Sequence, residues 1–239
     1  MTRLPTKLST LQYIKDHIDF NPTIIDIGVQ YETKELKTVF CESKHLLFEP
    51  VSEYYPSIRS NYVNIDHQIF EIALSNCNQD SFLSTRSLFG SGQVSHSNIS
   101  DEESLNTRPI TVRKLDSIIP EIQRETTLIE PFILKIDVDG VELQILEGST
   151  ETLAKTFCVI VETPLNVEVS HLNIFSERFF FLHNNGFVLW DIVDFCYYKD
   201  NLTQVDLVFL SQSFKRKLDF SPWSDGNFQA TEWVTFLQS

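Results

Sequence analysis

Glycine is scarce in this sequence, with seven in 239 residues, and none of them falls in a G-x-x-x-x-G-K-[ST] pattern, which excludes a phosphate-cradling Walker loop. Basic residues are also few: 19 Lys and Arg stand against 33 Asp and Glu, for a formal charge of −14, and the longest basic run is Lys215-Arg216-Lys217. Such a balance repels phosphate backbones and anionic membrane surfaces, so no nucleic-acid partner is expected, whereas a neutral small molecule is compatible. The four cysteines, Cys41, Cys77, Cys158 and Cys196, lie far apart with no C-x-x-C, which argues against a zinc site or a disulfide framework. The six histidines form no H-x-x-x-H or H-E-x-x-H pair, so no built-in transition-metal site is expected. No apolar run reaches the length of a membrane span, and Met1-Thr2-Arg3-Leu4-Pro5 lacks an apolar signal core; the expected location is cytoplasmic.

What is present is apolar mass: 42% hydrophobic residues, 12% aromatic, 19 of them Phe, enough for a full core. The length suits a single domain over 1–239, with an N-terminal helix in 1–21, a core over 22–210 and a C-terminal extension over 211–239. Leu8, Leu11, Ile14 and Ile18 recur at helical spacing, and Asn21-Pro22 ends that helix. Short apolar, β-branched runs follow at 23–27, 46–48, 69–74, 132–138, 158–161, 187–192 and 205–210, most of them separated by stretches of helical length. Strands alternating with helices predict parallel βαβ units and a doubly wound α/β sheet. Residues 81–107, rich in Ser and Asn and containing Gly90-Ser91-Gly92, break the rhythm and are expected to be a loop excursion over the sheet edge, a polar connection or a substrate lid. Trp223, Phe228, Trp233 and Phe236 in the tail are expected to pack.

Open parallel sheets bind ligands beyond the carboxyl ends of their strands, and three of these ends are acidic: Asp26-Ile27-Gly28, Glu49, and Asp137-Val138-Asp139-Gly140. Gly28 allows close backbone approach to a ligand. Glu49, 23 residues after Asp26, has the spacing of an acid that reads ribose hydroxyls in a βαβ unit. A nicotinamide enzyme would carry G-x-G-x-x-G here, yet the loop reads Gly28-Val29-Gln30-Tyr31-Glu32-Thr33. A pyrophosphate would lack its cradle. S-adenosylmethionine carries no phosphate, and Gln30 and Tyr31 complete the loop candidates for binding it.

Residues 132–148, FILKIDVDGVELQILEG, resemble the L-K-I-D-V-E-G-x-E-x-x-V-L-x-G signature of the FkbM family of methyltransferases. Ile25-Asp26-Ile27-Gly28-Val29, Leu47-Phe48-Glu49-Pro50, Ala73-Leu74-Ser75, residues 112–117 and residues 204–210 extend the resemblance in the family's order over 22–210. It implies a class I methyltransferase (Rossmann-like) fold: a mostly parallel seven-stranded sheet with helices on both faces and its last strand antiparallel. It also implies S-adenosyl-L-methionine as cofactor and transfer usually to a hydroxyl. By position, Asp26 and Gly28 would lie by the methionine part of the cofactor, Glu49 on the ribose, Ser75 near the adenine and Asp137 beside the sulfonium and acceptor. Two residues depart from the pattern. Glu32 replaces a usual glycine, so the loop either avoids positive φ there or carries about 1–2 kcal/mol of strain. Asp139 replaces the signature's Glu.

Methyl transfer is an in-line displacement in which positioning dominates, and a general base adds perhaps 10² to 10⁴. Asp137 is the first candidate base. Glu162, ending the 158–161 strand, His171 in the loop beyond it, and Glu142, one turn into the helix after Asp137, follow; capping that helix is the plainer role for Glu142. Asp137, Asp139 and Glu162 offer oxygen ligands for magnesium, but no spacing demands it, and metal independence is expected. The expected acceptor is a hydroxyl on a small molecule, a sugar or natural product, and a homodimer is an expected assembly. The alternatives are a catalytically degenerate cofactor-binding domain and a nicotinamide-dependent oxidoreductase.

Overall fold

The computed structural model describes residues 3–87, 94, 96–100, 102–165 and 175–218. In chain order its strands are β1 (Ile24–Ile27), β2 (His45–Phe48), β3 (His67–Phe70), β4 (Ala73–Leu74), β5 (Gln79–Arg86), β6 (His96–Ser100), β7 (Thr107–Arg113), β8 (Phe132–Ile136), β9 (Thr156–Pro164), β10 (Phe187–Tyr198) and β11 (Asn201–Ser211). Its helices are α1 (Lys7–Asp16), α2 (Lys34–Val39), α3 (Tyr55–Asn61), α4 (Leu115–Glu125), α5 (Glu142–Glu147), α6 (Thr150–Leu153), α7 (Phe175–Asn184) and α8 (Gln212–Lys217).

The principal sheet has seven strands in the order β10-β11-β9-β8-β1-β2-β3, with β1, β2, β3, β8 and β9 parallel. β11 runs antiparallel to both its neighbours, β9 and β10. This is the strand order of the class I methyltransferase fold, with the last strand inserted and reversed. β1, β2 and β8 are buried at every position, which is why they read as short runs that are apolar apart from Asp26, His45 and Lys135.

Side chains alternate across the pleat and build a core on each face. On one face Ile25, Ile27, Leu134, Ile136, Val159 and Val161 pack with Ile118, Ile119 and Ile122 of α4, Ile145 and Leu146 of α5 and Leu182 of α7. On the other, Ile24, Ile133, Cys158, Ile160 and Val208 pack with Leu11 and Ile14 of α1, Leu36 of α2 and Phe214 of α8. α1 begins where Thr6 caps it by accepting the Ser9 N–H at 3.3 Å, and it ends at Asp16, before the expected Asn21-Pro22 stop. Leu8, expected on the apolar face, is exposed.

Residues 81–107, expected as a loop excursion, contribute strands instead. A second sheet has the order β4-β7-β5-β6, with β5 antiparallel to both β6 and β7. The run expected as one strand over 69–74 is divided, β3 joining the first sheet and β4 the second. A third apolar cluster, with Val29, Tyr54, Tyr55, Ile58, Tyr62 and Leu83, and with Ile99 and Ile110 packed against it, joins this second sheet to α3. Among the described residues no helix is long and apolar enough to cross a membrane.

Candidate active site

A cavity of about 300 Å³ opens beyond the carboxyl ends of β1, β2 and β8, where the strand order reverses. Gly28, Gln30, Glu49, Asp137, Asp139 and Glu162 line it, so the three acidic strand ends meet in one place.

Gly28 is there by necessity. Its φ is +78°, and a Cβ would lie 1.8 Å from the Asp137 carbonyl oxygen, so no side chain fits between the β1 and β8 ends. Glu32 does not take a left-handed conformation; Gln30 does, at φ 52°. The loop therefore avoids positive φ at Glu32, whose carboxylate pairs with Lys37, and places the strained turn two residues earlier. That turn aims the Gln30 N–H at Glu49 Oε2, 2.8 Å away, while Val51 N–H donates to Oε1 at 2.9 Å. Burial pushes the Glu49 carboxyl up to about 6, although both amide donors favour the charged form.

Asp137 and Glu162 face one another. Burial, and next the Asp137 charge, push Glu162 up to about 9. Asp137 is itself held below the usual carboxylate range despite its burial, by Lys135 and then Lys7. At neutral pH the pair therefore carries one proton, on Glu162, and Gln204 donates to the Glu162 carboxyl from β11.

The sheet's second face explains the surrounding charges. Two residues along from its apolar stripe, neighbouring strands carry Asp206, Glu162, Lys135 and Asp26, with Asp206 opposite Glu162 and Lys135 opposite Asp26 in register. Lys7 of α1 reaches over this polar row to within 2.5 Å of Asp206 Oδ2. The β6 strand roofs the cavity with His96, Ser97, Asn98 and Ile99. Asp139 accepts the Ser97 N–H at 2.8 Å and lies 3.9 Å from His96 Nε2, so the signature's shorter acid anchors the roof.

Other candidates stand elsewhere. Asp26 is fully buried behind the cavity and is not among its described lining residues. Tyr31 stacks edge-on against Tyr54, which does line the cavity, and Ser75 lies just past the lining residues Ala73 and Leu74, its N–H bonded to the Arg113 carbonyl. Glu142 is 1% exposed and bound at 2.6 Å to the fully buried Arg178 of α7, so it faces that guanidinium rather than the cavity. His171 lies outside the described residues. Lys135, His96 and Gln204 went unmarked in the sequence. The signal for Lys135 was a lone charge inside an otherwise apolar strand; a scattered His and Gln give none. Among the described residues no group of three or more His, Cys, Asp and Glu is arranged to hold a metal ion.

These residues fit the cofactor that the resemblance implies. A carboxylate for paired hydroxyls, a glycine cradle that a Cβ would fill and a second carboxylate suit a cation without phosphates. Residues 26–189 match the Methyltransferase FkbM domain, and the chain belongs to that family. The nicotinamide alternative falls with this membership, and S-adenosylmethionine is the cofactor. Among solved structures the chain is similar to a precorrin-6y methyltransferase from Geobacter metallireducens, at 10% identity and TM-score 0.44, covering 84% of this chain and 86% of that one. It is also similar to magnesium protoporphyrin IX methyltransferase from Synechocystis with bound S-adenosylmethionine, at 10% identity and TM-score 0.43, covering 86% and 78%. No curated protein matches the chain significantly.

Proposed function

We propose that the chain is an O-methyltransferase that acts in the cytoplasm on a hydroxyl of a small molecule, a sugar or natural product, without a nucleic-acid partner or a metal. The observation that carries this reading is the Asp137–Glu162 pair, two carboxyl groups that face one another in the cavity wall beneath a polar roof, the first pushed down by Lys135 and the second pushed up by burial. S-adenosylmethionine supplies the electrophilic methyl on its sulfonium. Glu49 would hold the ribose hydroxyls, and Gly28 would admit the methionine part against the backbone. The ionised Asp137 would face the sulfonium and would take the acceptor hydroxyl's proton as the methyl passes from sulfur to oxygen, leaving S-adenosylhomocysteine as the neutral product. Glu162, protonated, orients Asp137 and gains charge only at alkaline pH. The polar groups of β6 and Gln204 suit an acceptor with several hydroxyls, which favours a sugar-like molecule.

The test is calorimetry with S-adenosylmethionine followed by a screen of hydroxylated, aminated and carbon acceptors for S-adenosylhomocysteine release. Asp137→Asn is expected to lower kcat by at least about 10² on a hydroxyl acceptor. Methylation of amines or carbons alone would remove the O-methyl assignment, and an unchanged kcat would remove Asp137 as base.

A further inference from the structure

Behind the cavity wall, one ammonium bridges two strand ends, those of β1 and β8. Lys135 Nζ lies 3.3 Å from Asp26 Oδ1 and 3.3 Å from Asp137 Oδ2, and it donates to the Gly28 carbonyl at 2.8 Å. Gly28 and Asp137 form the wall; Asp26 and Lys135 are not among the described lining residues, and their side chains are 0% and 3% exposed. Among the described residues neither carboxylate oxygen of Asp26 accepts a hydrogen bond, and the adjacent ammonium is what compensates its charge.

The charges facing Asp137 can be counted element by element. On β11, Asp206 is paired with Lys7 of α1, which also lies 3.6 Å from Asp194. On α5, Glu142 is paired with Arg178 of α7. On β9, Glu162 holds its proton at neutral pH. On β1 and β8, Asp26 is cancelled by Lys135. Asp137, at the cavity wall, is thus left with its charge uncancelled; Glu49 and Asp139 add carboxyl groups elsewhere in the same lining.

We propose that Asp26 and Lys135 are positioning residues: Asp26 neutralises Lys135 and so leaves the charge of Asp137 uncancelled, which favours the cationic sulfonium of S-adenosylmethionine over the neutral thioether of S-adenosylhomocysteine. The proposal rests on the placement of the sulfonium beside Asp137. It gives the buried pair a task in product release: once the methyl has left, the charge that held the cofactor has no partner. The same ammonium holds the Gly28 carbonyl, so charge and loop geometry are set by one atom.

The readout is the ratio of the two ligands' dissociation constants, measured by calorimetry at pH 7.5 and independent of turnover. Asp26→Asn leaves Lys135 to cancel Asp137, and the preference for S-adenosylmethionine is expected to fall about tenfold. The double variant Asp26→Asn with Lys135→Met again leaves the charge of Asp137 uncancelled. It also leaves no unpaired buried charge, so it is expected to keep its fold and return the ratio to within about twofold of the starting protein, although both ligands bind more weakly without the Gly28 contact. A purely structural role would weaken both ligands alike and leave the ratio unmoved. Glu49→Ala serves as the control, expected to weaken both ligands equally. If it weakens neither, the cofactor placement itself is overturned. If it behaves as expected while the ratio in Asp26→Asn stays at its original value, or the double variant fails to restore it, the charge proposal alone is overturned.

Discussion

Glu49 is held at both oxygens by backbone N–H groups, yet burial still pushes its carboxyl up to about 6, above the ordinary value. The charged form is the one that accepts ribose hydroxyls. Cofactor affinity is therefore expected to be flat above about pH 7 and to fall as pH drops through 6, approaching tenfold per pH unit well below it. The stability contribution has the opposite sense: a raised carboxyl favours the folded state below its unfolded value and loses that contribution as pH rises through 6. Glu49→Ala should cost at least about tenfold in affinity, since a hydrogen bond to a charged acceptor is worth roughly 2 kcal/mol. Titration calorimetry from pH 5 to 8 checks both, and a flat profile would remove the ribose assignment. Gln30 shows the neighbouring compromise at this scale: a residue that accepts φ 52° so that its amide meets this carboxylate.

At the level of elements, the central strands of the first sheet were legible because burial on both faces leaves mostly apolar runs, broken in β1 and β8 by one charged residue each. The acidic ends were legible for the same reason, since Glu49 and Asp137 stop those runs and Asp26 breaks one just before its end. β5 and β6 were not. Their sequences, QDSFLSTR and HSNIS, are mostly polar, and β5 fully buries only Ser81 and Leu83, so backbone pairing rather than an apolar pattern defines them. Nor could the sequence show that Asp139 and Ser97 meet, because their contact joins two sheets. Asp139→Ala removes the acceptor for the Ser97 N–H and is expected to speed amide exchange across 96–100 while weakening cofactor binding several-fold. Hydrogen exchange with mass spectrometry reads this directly; unchanged protection of those amides would mean that the roof is held by the packing of Ile99 alone.

At the scale of the whole molecule, α1 ties the first residues of the described chain to its last strands. Arg3 pairs with Asp191 on β10, and Lys7 with Asp206 on β11, closing the polar row that runs behind the cavity. With an overall charge of −14, the molecule has few cations to spare, and placing Lys7 among Asp206, Asp194 and Asp137 offsets repulsion where acids are densest. Asp206 is 6% exposed, so without Lys7 its charge would be left buried and unpaired. Lys7→Met is therefore expected to cost about 3 kcal/mol of stability at pH 8. Burial already raises the Asp206 carboxyl, and losing its partner raises it further, so protonation relieves the cost as pH falls. Urea denaturation at pH 8 and pH 5 separates charge from packing: a loss that shrinks at the lower pH belongs to the ion pair. An equal loss at both would instead assign Lys7 to the packing of α1 against the sheet.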